Sequence, residues 1–171
     1  MLDFAHFISI LPLYYYIILA IIAPILLCTN IYYLIKLLIY SAGIIITAFI
    51  HKYFKLFVQP PNILKDLWYR PKGAKGCDFQ SMKGFAPDFT PGFPSGHMAT
   101  TLYITTINIL FSKKIKNKRL RWFFRFINIL IIPLMAWSRY YKKCHNIIQI
   151  TAGSILGTLC GIIFYFLLIF N

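Results

Sequence analysis

HNIIQITAGSILGTLCGIIFYFLLIF, residues 145–170, carries no charged side chain after its opening histidine. A helix crossing the hydrocarbon core of a bilayer needs about 20 mostly apolar residues, and this stretch supplies them. His145, Gln149, Gly153, Gly157 and Gly161 recur every fourth residue, so they share one helical face. The three glycines form two overlapping G-x-x-x-G steps, the small-residue pattern that lets membrane helices approach closely. That face therefore packs inward. Its outer end presents His145, with the amide oxygen of Gln149 one turn below and within reach of a ring N–H.

The rest of the chain agrees with a membrane setting. The 171 residues suit one domain, 1–171. The hydrophobic fraction is 59% and the mean hydropathy +0.68, well above a soluble average. The formal net charge is +14, with only four acidic residues. Such a balance suits anionic lipid or a phosphorylated substrate. The apolar content argues against nucleic acid as a partner. The start, Met1-Leu2-Asp3-Phe4-Ala5-His6, lacks the basic n-region of a cleaved signal peptide, so the first apolar run reads as a retained anchor.

Five spans are expected: roughly 7–29, 32–57, 96–112, 126–138 (extended backwards through Trp122 and Phe123) and 145–170. Residues 59–94, rich in proline and glycine, read as a loop, and 113–125, KKIKNKRLRWFFR, as a basic connector. The fold class is an all-α integral membrane protein, a bundle of about five transmembrane helices with an extracytoplasmic active-site loop. The positive-inside rule places the basic connector in the cytosol. The loop 59–94 and the connector SRYYKKCHN, residues 138–146, then lie together on the other side. Cys28 and Cys160 read as core residues. Cys77 and Cys144 lie in polar segments, where a disulfide is open to them if those segments face an oxidising lumen.

Four features converge on that outer side: KDLWYRP (65–71), PSGH (94–97), Ser138-Arg139, and His145. Arginine presents a planar fork of donors that matches phosphate oxygens. Backbone N–H groups at Gly96 and His97 open a helix, where the dipole favours an anion. Gly96 lets the backbone come close, and Ser95 can cap the helix or donate to an oxyanion. Cleavage of a phosphate ester further needs a nucleophile and an acid for the leaving oxygen, and histidine can serve as either near neutral pH. His97, Thr101, Thr105, Asn108 and Ser112 share one face of the third span. The threonines there can equally back-bond to helix carbonyls.

With these residues in view, the sequence resembles the type-2 phosphatidic acid phosphatase superfamily, membrane lipid phosphatases related to the vanadium haloperoxidases. The resemblance covers roughly residues 45–165. It rests on Pro94-Ser95-Gly96-His97, on Ser138-Arg139 followed after five residues by His145, and on Arg70-Pro71. It implies that His145 attacks phosphorus and carries a phosphohistidine, and that His97 protonates the leaving group. It further implies that Arg70, Arg139, Ser95 and the Gly96 N–H hold phosphate oxygens, with no metal and no other cofactor. Two positions depart from the pattern. The family lysine precedes the arginine by seven residues, where this chain has Ile63; Lys65 is five back, and Lys72 or Lys75 can stand in. The aspartate that orients the nucleophilic histidine is Gln149 here. The stretch SRYYKKCHNIIQITAGSILG looks like the dolichyl diphosphate phosphatase branch, which has a similar His-(three)-Gln arrangement.

The expected function is a metal-independent membrane lipid phosphatase acting on a lipid phosphate or polyprenyl diphosphate. Its site would face the lumen or exterior, in a membrane of endoplasmic reticulum or plasma membrane type. The alternative is an inactive relative that binds lipid phosphates or serves as a structural membrane protein. The lipid and the oligomeric state are not encoded in any motif. Gln149 is expected to orient His145, and an aspartate in its place to keep substantial activity.

Overall fold

The computed structural model describes residues 4–5, 7–8, 10, 31–58, 64–77 and 89–170. The first expected span, 7–29, lies almost wholly outside them. Five α-helices follow along the described chain: α1 (Ile31–Phe57), the single turn α2 (Lys65–Trp68), α3 (Gly96–Phe111), α4 (Lys118–Tyr141) and α5 (Ile147–Phe170). A 3-10 turn, Ser112–Lys114, extends α3.

Three of these helices, α1, α4 and α5, are long and apolar enough to cross a membrane. The expected third span, 96–112, is a helix: α3 has 16 residues, about 24 Å of helix, and the 3-10 turn adds about 6 Å more. It is the central post of the bundle, with both its polar and its apolar positions buried from Met98 to Thr105. The other helices shield it, and their outer faces stay apolar. Phe49 on α1, Phe123 on α4 and Ile163 on α5 are 72%, 62% and 58% exposed. In water each such side chain would forfeit roughly 1.5–3 kcal/mol of burial free energy. Against lipid it forfeits none, which is the membrane signature of this surface.

The basic connector is shorter than the sequence suggests. Asn117 caps α4, its side-chain oxygen accepting from the backbone N–H of Arg119 at 2.9 Å and of Leu120 at 3.1 Å. The helix therefore begins at Lys118, and Lys118–Arg125 forms its first two turns. Asparagine before a charged run reads as a loop residue unless its capping role is recognised.

The glycine stripe of α5 meets α3 at very close range. A Cβ at Gly153 would fall on the carbonyl oxygen of Ser95, and one at Gly157 on that of Ala99. Only a residue without a side chain permits this backbone approach. Tyr40, Ile44, Tyr103, Ile104, Ile107, Cys160 and Leu168 fill the core where α1, α3 and α5 meet. There the Tyr103 hydroxyl donates to the Tyr40 carbonyl at 2.8 Å. At the end of α3 away from the glycine-rich loop, Asn108 Nδ2 donates to Asn128 Oδ1 at 3.0 Å and Arg125 Nε to Ser112 Oγ at 2.7 Å. These bonds register α3 against α4. The inward stripe beginning at His97 is thus partly structural: Thr105 Oγ1 donates back to the Thr101 carbonyl at 2.9 Å.

Candidate active site

The spacing between Arg139 and His145 has a structural cause. α4 ends in a Schellman motif. Lys143 takes the left-handed position at φ 53°. Its N–H donates to the Tyr140 carbonyl at 2.9 Å, and that of Cys144 to the Arg139 carbonyl at 3.0 Å. The His145 N–H reaches the same Arg139 carbonyl at 3.3 Å. The five intervening residues are therefore one helix terminus that folds the chain back sharply. An arginine in the last turn of α4 and a histidine just before α5 are brought to one spot.

Gln149 sits one turn into α5 and is fully buried. Its Nε2 donates towards the carbonyls of Leu67 (2.9 Å), Trp68 (3.2 Å) and Tyr69 (2.8 Å), two hydrogens shared among three acceptors. Those acceptors fix which way the amide points, so Oε1 faces the other way. There it lies 3.1 Å from His145 Nδ1 and 3.3 Å from the Asn146 N–H. An oxygen at that place requires the hydrogen on Nδ1, which leaves the Nε2 lone pair of His145 available. An aspartate could not reproduce this arrangement. It is one methylene shorter, and its carboxylate has no hydrogen to offer three carbonyl oxygens. The structure thus argues against the expectation that aspartate would serve at 149.

The two arms of the glycine- and proline-rich loop pair with each other across the site. The Arg70 N–H donates to the Thr90 carbonyl at 3.0 Å, and the N–H groups of Gly92 and Phe93 to the Trp68 carbonyl at 2.8 and 3.1 Å. The rings of Trp68 and Phe93 stack at 4.9 Å. A Cβ at Gly92 would strike the Gln149 amide. The Ser95 N–H donates to the Gln149 carbonyl at 3.0 Å, which ties the start of α3 to the first turn of α5. Ser95 is buried and caps α3, accepting from the Met98 N–H at 3.5 Å. Gly96 and His97 follow as the first residues of that helix.

The charges around the histidines are almost all of one sign. Arg139 is fully buried, with Nη2 at 3.4 Å from the Cys77 carbonyl oxygen. Lys142 donates from Nζ to the Gly76 carbonyl at 2.5 Å. Its burial, with Arg139 nearby, pushes its ammonium down to about 8. Burial first, and then the charges of Lys55, Arg139 and Arg70, hold the His145 imidazole well below the ordinary histidine value of 6.5; the Gln149 hydrogen bond acts weakly the other way. His145 is therefore neutral at pH 7. His97 has Arg139, His145, Lys55 and Lys142 as its electrostatic neighbours. Among the described residues Asp66 is the sole acid, and it is exposed.

The structure brings His97, His145, Gln149, Ser95, Gly96, Arg70 and Arg139 together. It does not bring Lys65, which is exposed at the start of α2 and is not among the charges felt by either histidine. Lys72 and Lys75, the other stand-ins, are exposed as well. The lysine whose charge both histidines feel is Lys55 of α1. Its signal in the sequence was faint: Lys55 follows His51 by four residues, one turn on the same face at the loop end of a span.

Cys77 and Cys144 form a disulfide, joining residues 67 apart with Cα atoms 5.3 Å from each other. With Ala74 they make a small buried cluster. The bond clamps the Arg70 arm of the loop onto the turn that carries His145.

A sequence model described as the PAP2 superfamily matches residues 36–170. No curated protein and no solved structure matches the chain.

Proposed function

The chain belongs to the PAP2 superfamily, and on that premise we propose that it is a membrane phosphatase whose nucleophile is His145 and whose substrate is a lipid phosphate or polyprenyl diphosphate. The observation that carries the reading is the His145–Gln149 pair. A neutral imidazole, its Nδ1–H held by Oε1 at 3.1 Å, keeps its lone pair on Nε2, with Lys55, Arg139 and Arg70 as neighbouring charges.

In this reading Arg70, Arg139, the Gly96 N–H and the Ser95 hydroxyl grip the phosphate oxygens. His145 Nε2 forms a bond to phosphorus while the bond from phosphorus to the leaving oxygen breaks. His97, in the protonated form that the bound phosphate anion favours, supplies the proton that oxygen takes up and is left neutral. Water then attacks the phosphohistidine, giving its proton to His97, and phosphate leaves with His145 restored. The lipid tails lie along the exposed apolar faces of the helices. The Cys77–Cys144 disulfide supports a site facing an oxidising lumen or the exterior.

Acid quench during turnover, with a radiolabelled substrate phosphate, is expected to trap an acid-labile phosphoprotein in the wild type and none in His145→Ala. Full turnover in His145→Ala would remove the mechanism. Hydrolysis is expected to survive EDTA and to be inhibited by orthovanadate, a mimic of the five-coordinate phosphorus. The exposure of Lys65 favours the second reading, an inactive relative that binds lipid phosphate. Phosphate release by the purified protein from dolichyl diphosphate, phosphatidate and a soluble ester separates the two.

A further inference from the structure

α1 ends beside the phosphate cradle, and its last turns carry His51 and Lys55. The His51 ring packs directly against the backbone of Gly96: a Cβ added there would come within 2.8 Å of three ring atoms. The contact docks the loop end of α1 onto the first turn of α3. Lys55 lies one turn further on the same face and is half-buried, while its neighbours Lys52, Tyr53 and Phe54 are exposed. The contacts of α1 with both α3 and α5 fix the direction of that face.

We propose that Lys55 is a phosphate-binding residue of this site, and that His51 is the positioning residue that holds α1, and with it Lys55, against the cradle. The inference rests on the phosphatase reading. It gives the site a point charge from a transmembrane helix in addition to the planar forks of two arginines. A lysine on a flexible stem can follow a phosphate oxygen as phosphorus passes through its five-coordinate state. The influence of Lys55 on both His97 and His145 agrees with this placement, and Lys65 is exposed. No other lysine of α1 takes part: Lys36 sits near the opposite end, over the Tyr32 ring at 4.4 Å.

The test uses the full chain in detergent, with orthovanadate and inorganic phosphate as probes. Lys55→Ala is expected to weaken both anions, and to raise KM for the lipid substrate, by about tenfold to a hundredfold, the weight of one charge-assisted contact. Lys55→Arg should recover most of the loss, and Lys52→Ala should stay within about twofold of wild type. His51→Ala should weaken the same anions by about threefold to tenfold, with kcat falling less than KM rises. Thermal midpoints guard against misfolding; where Lys55→Ala fails to fold, Lys55→Met provides the same comparison. Unchanged anion affinity in a folded Lys55→Ala or Lys55→Met protein overturns the inference. A wild-type protein that binds vanadate but hydrolyses no lipid phosphate would sink the phosphatase reading, and the Lys55 comparison would still decide this one. A wild type that binds neither anion overturns both.

Discussion

His145 Nδ1 and Gln149 Oε1 stand 3.1 Å apart on consecutive turns, and the nitrogen of the same amide is committed to the carbonyls of Leu67, Trp68 and Tyr69. One side chain thus orients the histidine and pins the peptide that leads into Arg70. An amide can perform both tasks because it is donor and acceptor at once.

Substitutions at Gln149 should separate these tasks. Gln149→Leu loses both, and kcat should fall about tenfold to a thousandfold, the range for removing an orienting partner. KM should change less, because the phosphate contacts remain. Gln149→Glu keeps the length and an acceptor but sets a carboxylate against three carbonyl oxygens. It should lower the thermal midpoint more than Gln149→Leu does, since an unpaired buried charge costs more than a buried methyl. Gln149→Asp should resemble Gln149→Leu in rate. Near-native kcat in Gln149→Asp would show that the three carbonyls do not need the amide.

The pH profile should move in opposite directions in two variants. In the proposed mechanism His145 attacks phosphorus in its neutral form, and its burial and cationic neighbours hold it well below 6.5. The acid limb of kcat/KM attributable to His145 should therefore lie below that value in the wild type. Lys55→Ala removes a like charge, raises the imidazole, and should shift the limb up towards neutral pH. Gln149→Leu removes the one influence that raises it and should shift the limb down. Substrate ionisation is common to every variant, so the differences report on the enzyme. Coincident profiles would place the controlling group elsewhere.

Reduction of the disulfide should loosen the site. Closing 67 residues with a cross-link stabilises a free chain by about 4 kcal/mol on loop entropy alone. Helices held in a bilayer are already restricted, so the measured loss should be smaller. Cys77→Ser with Cys144→Ser should lower the thermal midpoint. It should also raise KM, since the Cys77 carbonyl is a partner of Arg139. An unchanged midpoint and KM, with free thiols confirmed by titration, would make the bond dispensable.

The glycine stripe should show a gradient along α5. Gly157→Ala drives a methyl into the Ala99 carbonyl, far from the histidines, and should lower stability by roughly 1–3 kcal/mol with little change in kcat. Gly153→Ala presses on Ser95, the cap of the cradle helix, and should lower kcat as well as stability. Equal effects of both substitutions on kcat would mean that the cradle does not depend on this approach.

Some of this was legible without coordinates. The apolar helix α5, its inward glycine face and His145 just before its N-terminal end follow from composition and a period of four residues. α1 and the existence of a helix through 126–138 follow from hydropathy in the same way. The start of α4 was misjudged because Asn117 caps a helix half of whose first two turns is basic. The helix α3 follows from its apolar content. That it is buried at the centre of the bundle depends on the helices around it.

What the sequence determined by itself is what adds up along the chain: transfer free energy residue by residue, helical periodicity, and motifs whose members lie within a turn or two of each other. From these come the helical membrane class, the two histidines and the side on which they gather. Tertiary structure decided everything that requires distant segments to meet. Gln149 finds its carbonyls 80 to 82 residues away, Cys144 its partner 67 residues away, and Lys55, rather than Lys65, is the lysine whose charge both histidines feel. Such contacts are chosen by packing, since a Cβ at Gly96 or Gly153 would already forbid them, and no local sum along the sequence contains that constraint.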